Sequence, residues 1–152
     1  MNKKYTCMKE NPLGEIDTMC EISLSSEAVL RIYDVIKVKG SYVMCSWVWS
    51  DADKFLSVTA GRFIKKIELR KGWNKVKLVF DTSNRCSVNI GLTSGTYRIY
   101  HLVVNAGDIV CDYDNASLTK YIVFGIYDQN METSISVSYT HLRAHETDQD
   151  LV

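Results

Sequence analysis

The chain is short of most things that announce a chemistry. It has a single proline, Pro12, in 152 residues, which excludes proline-rich linkers and collagen-like segments and leaves the backbone donors free for strand pairing. It has 18 basic and 18 acidic side chains, so there is no field of one sign to hold nucleic acid. No apolar run follows Lys3 and Lys4 in the opening MNKKYTCMKENPLGE. That start reads as neither a signal peptide nor a membrane anchor, and no membrane insertion is expected. The expectation is a protein that works inside the cell that makes it, or leaves by a route other than the standard signal. Five cysteines, Cys7, Cys20, Cys45, Cys86 and Cys111, lie far apart with no CxxC pair and no His/Cys spacing suited to zinc. They read as buried thiols of a cytosol-assembled protein. No phosphate loop or nucleotide motif is present.

The last stretch, SVSYTHLRAHETDQDLV, differs from what precedes it and contains two of the three histidines. Residues 137–152 resemble the translated read-through of a sequencing adapter used in transposase-based library preparation, matching residue for residue from Val137 to Thr147. On that resemblance they are a non-native tail and the natural C-terminus is missing, so residues 1–136 form a single domain. The tail is expected to make few contacts with that domain, and its deletion to leave thermal stability nearly unchanged. Removing Arg143 against Glu146, Asp148 and Asp150 leaves 17 basic and 15 acidic residues, about +2. His101 is then the one remaining histidine, and no Cys/His or Ser/His/Asp constellation offers itself.

What is present is alternation. In Tyr42–Trp49, Tyr42, Met44 and Val48 share one face, and Val43, Cys45, Trp47 and Trp49 share the other. Both faces are largely apolar, which predicts a central strand. Further strands are predicted over Cys20–Leu24, Val29–Lys37, Phe55–Thr59, Phe63–Leu69, Lys75–Asp81, Ser87–Leu92, Thr96–Val104 and Lys120–Tyr127, rich in Val, Ile, Tyr and Thr. Turn residues separate them at Lys39–Gly40, Ser50–Asp53, Arg70–Gly72, Thr82–Asn84 and Ser94–Gly95. Eight or so short strands at this spacing, without an amphipathic helix, predict an all-β antiparallel sandwich or barrel; of the two, an antiparallel β-sandwich (jelly roll, galactose-binding-like) is the expectation.

The run from Gly40 to Asp114 resembles the non-catalytic, carbohydrate-binding-type jelly-roll modules of bacteriophage tail and structural proteins. The matching elements are Gly40-Ser41-Tyr42 through Trp49; Ile67-Glu68-Leu69 with Trp73 and Val76; Val88-Asn89-Ile90; Gly95-Thr96-Tyr97-Arg98-Ile99-Tyr100; and Leu102 through Tyr113. Asn105 stands near a family glutamate, and Tyr113 replaces a family tryptophan. The resemblance implies a virion protein assembled in the host cytoplasm, present as a homo-oligomer within a larger assembly. Its partners would be a cell-surface glycan, bound weakly and multivalently, or, in a purely structural role, other virion subunits. A third reading is an accessory domain of a truncated glycanase.

A sugar-binding sandwich offers aromatic planes to pyranose C–H faces, flanked by polar side chains that bond hydroxyls. Trp47 and Trp49, roughly 7 Å apart along one strand face, form a plausible stacking pair, although aromatic residues of a central strand are more often core. Trp73 matches the family's structural tryptophan and reads as a half-buried lid on the sandwich edge. Arg98 and Tyr100 form a second candidate group on one strand face, with His101 on the other; the alternative is a solvated strand edge. No cofactor is expected beyond a structural calcium ion, which Asp108, Asp112 and Asp114 could hold with backbone carbonyls, unless they are simply a solvated turn. Glycoside hydrolysis needs two carboxylates across a cleft, one with a raised pKa. Nothing in the spacing of Asp51, Asp53 and Glu68 singles out such a pair, so no enzyme is expected.

Overall fold

A computed structural model describes residues 2–3, 6–36, 38–83, 85–109, 121–126, 129–134 and 137–140. Thirteen strands occur among them, with no helix. They are β1 (Asn2–Lys3), β2 (Thr6–Glu10), β3 (Ile16–Leu24), β4 (Ala28–Ile36), β5 (Gly40–Ser50), β6 (Lys54–Ala60), β7 (Phe63–Leu69), β8 (Gly72–Thr82), β9 (Cys86–Leu92), β10 (Gly95–Ala106), β11 (Tyr121–Ile126), β12 (Gln129–Ser134) and β13 (Val137–Thr140).

The antiparallel pairs β6·β7, β5·β8, β4·β9 and β3·β10 are nested one inside the next about the β6–β7 turn. A long hairpin rolled up in this way makes a jelly roll, and rolling brings β6 beside β9 and β5 beside β10. The result is two sheets, β1-β12-β11-β4-β9-β6-β7 and β2-β3-β10-β5-β8. Their inner faces meet in one core that includes Ile22, Leu30, Ile32, Met44, Val58, Leu69, Phe80, Val88 and Val104. Tyr42 and Tyr97 are wholly enclosed, and each hydroxyl is satisfied: Tyr42 donates to the Val38 carbonyl at 2.7 Å, and the Tyr97 oxygen accepts from the Thr93 backbone N–H at 3.1 Å.

The predicted all-β sandwich is therefore the observed one, with β5 flanked on both sides by β10 and β8. Strands β1, β2 and β12 lie outside every predicted span, and three further details differ. The strand predicted from Cys20 starts at Ile16, because the Asn11 side-chain oxygen accepts from the Leu13 and Glu15 N–H groups and closes a hairpin with β2. The β10 ladder shifts register between Tyr100 and Val103, with His101 at φ 53°. Finally, residues 137–140, expected to stand apart, form β13 alongside Leu102–Asn105 in parallel. β3 pairs β10 only over Gly95–Ile99. The edge beyond it is a template for any extended segment that reaches it.

Candidate functional site

The outward face of the β3-β10-β5-β8 sheet collects tryptophan side chains that the core does not use. On β8 the inward positions Val76, Leu78 and Phe80 are buried, so Trp73 and Lys75 point out. On β5 the same alternation turns Trp47 and Trp49 outward. Register then sets two rows across the sheet. One runs Glu21, Arg98, Trp49, Trp73, and the next runs Tyr100, Trp47, Lys75. All three tryptophans of the chain lie half-buried on this face, and none belongs to the core.

Polar side chains hold the rings in place. The Arg98 guanidinium lies over Trp49, its central carbon 3.9 Å from the ring centre, while its Nε donates to Glu21 Oε2 at 2.8 Å. The carboxylate thus fixes the plane of the guanidinium against the indole. Lys75 Nζ stands 5.0 Å from the Trp47 ring centre. Trp73 meets Tyr100 edge-on at 6.2 Å and 63°.

Tyr100 is only 8 % exposed. Its hydroxyl donates to Asp17 Oδ2 at 2.5 Å and accepts from the buried Asn11 amide at 3.2 Å. That hydroxyl, followed by the Thr18 backbone N–H, holds the Asp17 carboxyl below its ordinary pKa. Burial, then the bond to Asp17, raises the Tyr100 phenol.

His101 corrects an expectation. Strict alternation sends its side chain to the face opposite Tyr100, but its ring stacks on Tyr100 at 3.9 Å and 14°. The irregularity between Tyr100 and Val103, with a left-handed residue inside it, places consecutive side chains on the same side. Burial lowers the imidazole pKa; Asp17 opposes this and Lys75 reinforces it. A left-handed non-glycine residue beside a cluster of rings is the kind of backbone feature found at working surfaces.

Of the residues singled out in the sequence, Trp47, Trp49, Arg98 and Tyr100 are brought together. Trp73 joins them on the face. Glu21, Lys75, Asn11 and Asp17 were not anticipated. The alternation of β8 carried a signal for Trp73 and Lys75; nothing local pointed to Asn11 or Asp17, which reach Tyr100 across 89 and 83 residues. Asp108 is exposed at the end of β10, and Asp112 and Asp114 lie outside the described residues. Among the described residues no three His, Cys, Asp or Glu side chains gather as a metal site.

No family model and no curated protein matches the chain. A solved structure named "BiXyn10A CBM1 APO", a carbohydrate-binding module by that name, is similar at 17% sequence identity and a TM-score of 0.41, over 63% of this chain and 77% of that chain.

Proposed function

We propose that the outward face of the β3-β10-β5-β8 sheet is a glycan-binding surface, in which pyranose rings stack on Trp47, Trp49 and Trp73 and hydroxyls bond to Arg98, Glu21 and Lys75. The observation that carries this reading is the placement of every tryptophan outside the core on one face, with the indole beside Arg98 braced by a fixed guanidinium. A half-buried indole leaves apolar area in water that a stacked sugar would cover. Tyr100 is the support beneath this surface, since its hydroxyl is already engaged by Asp17 and Asn11. The role read for this face is binding without catalysis, with the Asp17 carboxylate engaged by the Tyr100 hydroxyl and the Thr18 N–H as part of the support.

Together with the resemblance to phage modules, this describes a domain displayed in several copies on a virion or tail. Its weak individual binding is multiplied by avidity. The test is a glycan-array screen of the full chain presented monomerically and on a multivalent scaffold, repeated with Trp49→Ala. Binding that the folded variant loses supports the reading; binding that the variant retains refutes it.

A purely structural role in virion assembly has its own support on the other sheet. Phe55 and Ile64 are 47 % and 73 % exposed there, and Val29 is 37 % exposed. They line a groove of about 700 Å³ with Arg31 and Lys66. β7 ends that sheet, with β6 its one partner among the described strands. Apolar side chains beside an edge strand suit a subunit contact. Failure of every glycan to bind the folded chain would favour this role.

A further inference from the structure

At the end of the sandwich away from the tryptophan rows, three turns meet around a cleft of about 810 Å³. Lys39 comes from the β4–β5 connection, Arg62 from the β6–β7 turn and Arg85 from the β8–β9 turn, and all three are exposed. Among the lining residues the one acidic side chain is Asp81, whose carboxylate accepts a bond from the Ser41 hydroxyl. Three cationic side chains and one carboxylate thus line this mouth. Burial raises the pKa of the Cys86 thiol in the wall, which keeps it from adding an anion.

The floor supplies the second observation. Thr82 ends the inward row of β8 that begins Val76, Leu78, Phe80. Its Oγ1 is buried and makes no hydrogen bond, the one such side-chain atom among the described residues. A buried hydroxyl without a partner is destabilising until it meets one, and Thr82 is itself among the residues that line the cleft.

We propose that this cleft binds a tetrahedral oxyanion, a phosphate or sulfate group. Arg62, Arg85 and Lys39 neutralise its charge, and the Thr82 hydroxyl donates to one oxygen. The forked guanidinium groups suit such an anion, and three cations from separate turns suit a charge greater than one. The anion is either a free ion or the ester of a charged polysaccharide or teichoic-type polymer. This site is remote from the tryptophan face and does not depend on it.

The experiment is a titration of the full chain at low ionic strength with inorganic phosphate, sulfate, glycerol phosphate and glycerol, followed by calorimetry and by amide chemical shifts. Saturable binding of the anions above a chloride control, centred on residues 39–41, 61–62 and 82–86, is expected. Thr82→Val should weaken it roughly tenfold, the value of one charge-assisted bond, while raising the thermal midpoint of the unliganded chain. Arg62→Gln with Arg85→Gln, both exposed and so compatible with folding, should abolish it. Trp49→Ala should leave it unchanged. Tighter binding of glycerol phosphate than of phosphate would assign the site to a polymer ester, and equal binding to the free ion. No saturable binding above chloride, or full affinity in the double variant, overturns the proposal.

Discussion

Replacing Tyr100 by Phe separates the scaffold of the tryptophan face from its binding surface. The ring stays, so the edge contact with Trp73 and the stack with His101 are kept. What goes is one oxygen. The Asn11 amide, in a residue 5 % exposed, loses the acceptor it holds at 3.2 Å, which costs about 1–3 kcal/mol for a buried unmet donor. Asp17 loses a donor but keeps access to water, adding about 0.5 kcal/mol or less. A total near 2 kcal/mol lowers the melting temperature of a chain this size by roughly 6 °C. The pH dependence has a definite sign. Asp17 is held below its ordinary 3.8 chiefly by the Tyr100 hydroxyl, so that contribution is present above this value and is lost as pH falls through the lower folded value. The gap between the parent and Tyr100→Phe should therefore be widest at neutral pH and narrow below pH about 4, leaving the Asn11 part. Thermal melts at pH 7 and pH 3, with glycan affinity measured at pH 7, provide the assay. An unchanged melting temperature together with lost glycan binding would refute the reasoning and make the hydroxyl a sugar contact.

Three further outcomes are expected. Gly95→Ala should destabilise by about 1–3 kcal/mol, because Gly95 has φ 123° and an added Cβ would crowd Lys54 Nζ and stand 2.9 Å from Asp51 Oδ1; urea melts measure it, and tolerance would show the turn to be plastic. In thiol labelling at pH 7, Cys20 should react only after unfolding, since burial pushes its pKa up to about 12, while half-buried Cys7 and Cys86 should react first in the folded state. Deleting residues 137–152 removes β13, so hydrogen exchange should accelerate at Leu102–Asn105 and stay unchanged in the β5·β8 ladder; equal rates in both forms would show that β13 contributes nothing.

The sequence by itself determined the class of fold and most of its strands. Alternation with period two is a local property, and the turns at Ser50–Asp53, Arg70–Gly72 and Ser94–Gly95 punctuate it with residues whose backbone preferences are their own. It also determined that Trp47 and Trp49 share a face. It left open whether that face was core or surface, because β5 is apolar on both sides. The pairing of β5 with β10 and β8 decided that, by setting Arg98 and Trp73 beside Trp49. The bulge after Tyr100 turned His101 onto the same side against the alternation, and a bulge arises from the fit of two ladders, which no single strand encodes. Asn11 and Asp17 reached Tyr100, and three turns met at the cleft over Thr82, only because the nested pairing rolls distant segments to common ends of the sandwich. Contacts across that much chain depend on tertiary register, and local propensity carries no record of them.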